Sequence, residues 1–272
     1  MDELESVKKV IRKAGMTALK FYNTKTLQVD YKEPDIQDSP LTKADLVSEK
    51  IILQELKQFD YGILSEETSE ENNRLNKELV WIIDPLDGTM DFIQKTDEFT
   101  IMIGLAKNGV SILGAVYQPA ADTLYFAEQG KGAFKQTGQN KPIKITVSQK
   151  DNFSKMTLLA SRNHLKEKEV KFAKKVNLKN FVQCGSAGLK ICKIAEGIGD
   201  IYLNTSNKTS EWDLCAADII LAEAGGKLSD MNGKEIVYNK QNPLNLNGFV
   251  ASNKILHDQI IKNLNEIPDS NL

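Results

Sequence analysis

The chain has 272 residues, 41% of them hydrophobic and 26% charged, with a net charge of −2. That length can bury one large core or two fused halves. Acids and bases are interspersed, which excludes the one-signed basic patch that a dedicated nucleic-acid or membrane-surface binder needs.

No apolar run approaches the roughly 20 residues that span a bilayer. The opening MDELESVKKV is acidic and amphipathic, unlike a secretory signal, so a cytoplasmic chain is expected. Cys184, Cys192 and Cys215 form no CxxC pair and are expected to be small buried hydrophobes. His164 and His257 lie apart from acidic or cysteine clusters, which argues against zinc and against a histidine-activated nucleophile. Chemistry here must come from carboxylates, hydroxyls, lysines and oxygen-seeking metals.

Leu4, Val7, Ile11, Ala14, Ala18 and Phe21 recur at helical spacing and predict an opening amphipathic helix. A polar loop follows from Glu33 to Pro40, and Thr42-Lys43-Ala44-Asp45 then caps a second helix through Leu56. Short β-favouring runs come next, at Gly62–Leu64, Val80–Ile83, Phe99–Ala106, Ile112–Tyr117, Thr123–Phe126 and Ala133–Phe134. Asn108-Gly109 is a hairpin signal, so this sheet is expected to be largely antiparallel.

Beyond residue 150 strands and helices alternate. Strands are expected at Leu158–Ala160, Ile201–Leu203, Lys227–Ser229 and Phe249–Ala251. Helices are expected at Lys166–Val176, Ala187–Glu196, Asp213–Glu223 and from Leu256. The pattern predicts an α+β half (1–150) packed on an α/β half (151–272).

The densest chemical signal is Trp81-Ile82-Ile83-Asp84-Pro85-Leu86-Asp87-Gly88-Thr89-Met90-Asp91. A hydrophobic strand runs out into two acids flanking a proline-stiffened turn, where carboxylates can hold a hard cation. Gly88 permits close backbone approach, and the amides of a helix start favour a phosphate. Taken alone, the segment is equally well explained as a capped turn. Glu66-Glu67 after a short strand, Asp213 at a helix start and Asp45 each have a solvated-loop or capping explanation too. Four such acidic sites together are harder to dismiss.

The set resembles the inositol monophosphatase superfamily of Mg²⁺-dependent, lithium-sensitive phosphatases, whose pattern is Glu-Glu, then D-P-[IL]-D-G-T, then W-D before an alanine-rich helix. Glu66-Glu67, Asp84 to Thr89, and Trp212-Asp213 with Ala216-Ala217 stand here in that order. Within it the chain looks most like the 3′(2′),5′-bisphosphate nucleotidases of the CysQ type. Ser39 to Asp45, Leu159 to His164, Gly188-Leu189-Lys190, Glu211 to Ala216 and Gly225 to Asp230 carry that likeness. Met90-Asp91 departs from it, because the nucleotidases usually carry Lys-Glu there, while inositol monophosphatases usually have Asn where Asp91 stands.

The resemblance implies an αβαβα sandwich of the sugar-phosphatase kind and a phosphomonoesterase using two to three Mg²⁺ ions. Glu66, Asp84 and the Leu86 carbonyl would hold one ion, and Asp84, Asp87 and Asp213 a second. A third would sit near Glu66 and Asp45. Thr89, Asp45 and Glu66 would orient or deprotonate the attacking water. The Gly88 and Thr89 amides would cradle the phosphate, with Ser186 and Lys190 taking a second phosphate or ribose, and Arg162 a weaker candidate. The implied partner is a small phosphate ester, with neither nucleic acid nor membrane, and the related enzymes are often homodimers. 3′-Phosphoadenosine 5′-phosphate is the first expected substrate, with inositol 1-phosphate or fructose 1,6-bisphosphate as the alternative. A metal-binding scaffold without activity is the distant one.

Overall fold

A computed structural model describes residues 2–24, 29–31, 40–68, 72–163 and 165–268 of the chain. Residues 33–39 of the expected loop, Glu70, Glu71 and His164 lie outside these. Among the described residues no helix is long and apolar enough to cross a membrane.

The first helix, α1 (Glu3–Tyr22), buries Val7, Val10, Ile11, Ala14 and Ala18 along one stripe. Strands β1 (Val29–Tyr31) and β2 (Pro40–Thr42) form a small antiparallel ribbon. At its end Thr42 caps α2 (Lys43–Leu56), and the Asp45 carboxylate accepts the Thr42 N–H at 2.8 Å to complete the capping box.

A seven-stranded sheet follows, from β3 (Gly62–Ser65), β4 (Leu79–Asp87), β5 (Thr100–Lys107), β6 (Val110–Gln118), β7 (Thr123–Glu128), β8 (Gly132–Thr137) and β9 (Ile143–Ile145), in sequential order. Only the β3–β4 pair is parallel; the others are antiparallel, as expected. Asn108 (φ 49°) and Gly109 (φ 85°) form the two-residue turn between β5 and β6, both left-handed as a type I′ hairpin requires. A short helix, α3 (Thr89–Gln94), leaves the end of β4.

The second sheet is mixed. It is built from β10 (Thr157–Ser161), β11 (Asn180–Cys184), β12 (Ile201–Asn204), β13 (Lys227–Ser229) and β14 (Phe249–Ser252), in the order β11-β10-β12-β14-β13. Its helices are α4 (Glu167–Lys175), α5 (Ala187–Ala195), α6 (Cys215–Glu223) and α7 (His257–Asn265). Strand β11 was not expected from the sequence. It is an edge strand with Asn180 to Gln183 exposed, so burial imposes no apolar alternation on it. Helix α6 begins at Cys215, two residues later than its predicted start, which leaves Asp213 in the preceding turn.

Three apolar layers hold these elements in an αβαβα sandwich. Val7 and Ile11 of α1 and Ile52 of α2 pack with Trp81, Ile83 and Ile103 on the outer face of the first sheet. Leu189 and Ile191 of α5 and Ala216 and Ile220 of α6 fill the space between Val80, Ile82 and Val116 of one sheet and Leu159, Tyr202 and Ala251 of the other. Phe172 of α4 and Ile260 and Leu264 of α7 cover Leu158, Leu203 and Val250. Adjacent residues of β4, such as Trp81 and Ile82, face opposite layers, which is the period of a strand buried on both sides. All three cysteines are buried and unpaired, as expected.

The seat of α6 depends on two glycines directly opposite each other, Gly104 on β5 and Gly114 on β6. A Cβ on Gly114 would lie 2.1 Å from the Ala216 carbonyl oxygen, and one on Gly104 would lie 2.6 Å from Cys215 Sγ. Gly114→Ala is therefore expected to overpack this contact and cost about 1–3 kcal/mol, read as a lowered urea midpoint.

His257 is buried, each ring nitrogen 2.8 Å from a serine hydroxyl, Ser229 on one side and Ser252 on the other. Burial, with help from Lys227, pushes its imidazole from 6.5 down to about 4. The unfolded chain then takes up the proton first, so stability falls as pH drops from about 6.5 toward 4. Urea midpoints between pH 7 and 5 should fall more steeply for the wild type than for His257→Asn.

Candidate active site

β4 is buried on both faces along nearly its whole length and then breaks register. Asp84 pairs with Met102 but Asp87 pairs with Thr100, so three steps on β4 oppose two on β5. In a regular strand residues three apart face opposite ways; the extra residue of this bulge turns Asp84 and Asp87 toward one side. Pro85 fits there because a bulge tolerates a missing ladder donor. The Asp84 carboxylate accepts the Leu86 N–H at 2.9 Å, closing the turn on itself.

Asp213 arrives from the turn before α6, where its carboxylate accepts the Ser210 N–H at 2.5 Å. Asp84, Asp87 and Asp213 each offer a carboxylate oxygen within 4.8 Å of the others. Burial pushes the Asp84 carboxyl well above its ordinary range, and the charges of Glu66, Asp87 and Asp213 push the same way.

Asp87 sits at the N-terminus of α5. It accepts the Gly188 N–H at 2.8 Å, the Ala187 N–H at 3.1 Å and the Ser186 hydroxyl, so amides otherwise orphaned in the first helical turn are satisfied. Ser186 holds a left-handed backbone (φ 54°), and its hydroxyl also lies 2.9 Å from Thr100 Oγ1 and accepts the Leu189 N–H.

Glu66 follows β3, its N–H bonded to the Ile83 carbonyl of β4 at 3.2 Å. It stands outside the aspartate trio, yet its charge acts on both Asp84 and Asp45. Thr89 lies between two acceptors, its hydroxyl 3.2 Å from the Leu86 carbonyl and 3.4 Å from Asp45 Oδ1. Burial raises the Asp45 carboxyl to about 6, against the pull of its Thr42 hydrogen bonds and with a push from Glu66. Gly88 is left-handed (φ 89°) and sits against Ser186 and the Glu98 carbonyl, where a side chain would be both strained and crowded.

Lys190 is buried, 2% exposed, and donates to the carbonyls of Ser186 at 2.8 Å and Cys184 at 3.2 Å. It is therefore no solvated helix lysine; it ties down the loop that leads into α5. Burial lowers its ammonium pKa, opposed by Cys184, Asp87, Asp91 and Glu98. Arg162 pairs with Glu98 at 2.5 Å and lies 3.4 Å from Asp91.

Several participants escaped sequence reasoning. Glu98 accepts the Gly185 N–H at 2.9 Å, and although burial pushes its carboxyl up, Arg162, Gly185 and Lys193 bring it below its ordinary value. Glu49 accepts the Ser65 hydroxyl at 2.6 Å and the Thr68 hydroxyl, bracketing the segment that bears Glu66. Its one available signal was its place a helical turn beyond Asp45 on the same face of α2. Glu98 carried none.

The sequence profile of the inositol monophosphatase family matches residues 1–269, and the chain belongs to that family of phosphoric monoester hydrolases. It is 33% identical over 243 residues to the 3′(2′),5′-bisphosphate nucleotidase CysQ of Aggregatibacter actinomycetemcomitans, a match covering 88% of each chain. It is 31% identical over 274 residues to the fructose-1,6-bisphosphatase/inositol-1-monophosphatase of Thermotoga maritima, covering 98% of this chain and 97% of that one. The crystal structure of CysQ from Bacteroides thetaiotaomicron superposes with a TM-score of 0.79 at 30% identity, over 92% of this chain and 96% of that one.

In the metal-free protein the Asp45 carboxyl is expected to titrate near pH 6. Glu66→Gln, by removing a nearby negative charge, should move that midpoint down, while burial keeps it above the ordinary 3.8. Carbon-detected NMR titration of labelled aspartates reads both values.

Proposed function

We propose that the chain is a Mg²⁺-dependent 3′(2′),5′-bisphosphate nucleotidase that converts 3′-phosphoadenosine 5′-phosphate to AMP and phosphate. The observation that carries the phosphatase chemistry is the Asp84–Asp87–Asp213 trio, two of its acids buried and the third half-buried, beside the Thr89–Asp45 pair. The substrate rests on likeness to the CysQ proteins.

The donor set fits a hard cation. Three neighbouring carboxylates, two of them buried, repel one another, and Asp84 already resists ionising there. All-oxygen donors suit Mg²⁺ rather than a softer metal. In this reading Glu66, Asp84 and the Leu86 carbonyl hold one ion and Asp84, Asp87 and Asp213 a second, with a third weaker position near Glu66 and Asp45. Bound divalent cations supply charge neutralisation at the phosphate and acidify a water.

The chain's own groups handle the proton and the substrate. The Thr89 hydroxyl donates toward Asp45 and so turns a lone pair outward to accept a proton from the attacking water. Asp45, its other carboxylate oxygen held by the Thr42 amide and hydroxyl, takes up the proton that Thr89 passes on. The Gly88 and Thr89 amides hold the phosphate, and Ser186 and Lys190 shape the place of the second phosphate or ribose. Residues 1–150 thus bring most of the site, and 151–272 bring Asp213 and the substrate-shaping loop. The Thermotoga relative favours a second reading, an inositol-phosphate or fructose-bisphosphate phosphatase.

Phosphate release from 3′-phosphoadenosine 5′-phosphate, inositol 1-phosphate and fructose 1,6-bisphosphate, with Mg²⁺ and with chelator, tests the proposal. The nucleotide should be turned over fastest, and only with metal present. Asp87→Asn and Asp213→Asn should each lose at least about 100-fold in kcat while circular dichroism shows an intact fold. Near-wild-type turnover in either folded variant would refute the assignment. Lys190→Ala should harm the bisphosphate reaction more than the inositol phosphate one.

A further inference from the structure

Arg74, in the 3₁₀ turn Asn72–Asn76 beyond the Glu66 segment, is buried although it is an arginine. Its backbone packs against Gly62 of β3, where an added Cβ would lie 3.0 Å from both its Cα and its Cβ. Its guanidinium reaches across the molecule, donating to Asn239 Oδ1 at 2.6 Å and to the Lys240 carbonyl at 2.9 Å. The Asn239 side-chain amide returns a bond to the Arg74 carbonyl at 3.0 Å.

The same two residues meet a second buried charge. The Glu211 carboxylate is fully buried and accepts the backbone N–H of Asn239 at 2.5 Å and of Lys240 at 2.9 Å. Asn239 takes a left-handed backbone (φ 59°) to present these groups. The Glu211 carbonyl accepts the N–H groups of Leu214 at 3.2 Å and Cys215 at 2.9 Å, so it closes the turn that contains Asp213 and opens α6. An unbroken series of hydrogen bonds therefore runs from Arg74, which packs against the strand leading to Glu66, to the turn that bears Asp213. None of its members belongs to the aspartate trio.

We propose that Arg74, Asn239 and Glu211 are positioning residues, a brace that sets Asp213 against Asp84 and Asp87 and thereby tunes the cation affinity of the site. This rests on the metal-site reading given above. Two buried charges and a strained asparagine, all outside the site, are costly features that packing alone does not require. Groups that hold metal ligands in place typically carry 10–100-fold in affinity, and the brace holds Asp213 through the turn that the Glu211 carbonyl closes.

Mn²⁺, a paramagnetic probe for a Mg²⁺ site, is titrated into the full-length protein and the free ion counted by electron paramagnetic resonance. Asn239→Gly keeps the left-handed backbone and the N–H donated to Glu211 but removes both side-chain bonds to Arg74. Glu211→Gln removes the charge. Both variants should bind Mn²⁺ at least about tenfold more weakly, with the melting temperature of Asn239→Gly in chelator falling no further than that of His257→Asn. His257→Asn, which removes bonds to Ser229 and Ser252 and touches no member of the brace, should keep wild-type affinity and so separates positioning from general loss of stability. Wild-type Mn²⁺ affinity in folded Asn239→Gly overturns the brace alone. Failure of the wild type itself to bind Mn²⁺ overturns the metal-site reading, and the brace with it.

Discussion

The contact on which the site depends is the close seat of α6 on the glycine pair Gly104 and Gly114. A helix normally rides on side chains, with its axis about 10 Å from its neighbour. Here its first turn meets bare strand backbone, and a Cβ on either glycine would collide with Cys215 or Ala216. Asp213 is two residues before that turn, so the depth of the seat decides whether its carboxylate reaches Asp84 and Asp87. On α5 the glycine belongs to the helix: a Cβ on Gly188 would lie 2.5 Å from Met102 Sδ of β5. The small residues between the sheets bring two helix starts down to the end of β4.

What gathers there is electrostatically costly. Buried carboxylates lose hydration, and neighbouring ones repel. The protein compensates unevenly. Asp87 is given two helix amides and a hydroxyl, and Asp45 is given the Thr42 amide and hydroxyl. Asp84 has the Leu86 amide and three acidic neighbours, and its carboxyl is accordingly pushed far up. A polypeptide that confines negative charge this way leaves a demand for positive charge at the end of β4, and the functional proposal builds on that demand.

Much of this was legible in the chain. The amphipathic stripe of α1, the Thr42–Asp45 capping box and the Asn108-Gly109 hairpin are local, governed by residues within a few positions of one another. The acids at the strand end were legible for the same reason. Edge strand β11 was not, because exposed positions carry no burial pattern. The bulge over Pro85 and Leu86 could be read only as a stiff turn, since its register exists only against β5. The burial of Lys190 was not legible either, because spacing on a helix does not say that a second layer covers it.

Sequence alone determined where the acids stand along the chain and which segments coil or extend, since propensity, capping and periodicity act over short range. Tertiary structure alone decided which of those residues meet. Asp213 lies more than a hundred positions from Asp84, and Arg74 is a similar distance and more from Asn239. Pairings at such separation follow from how deeply helices sit on sheets and where a strand slips register. Those are properties of packing against a partner surface, and no single stretch of the chain encodes them.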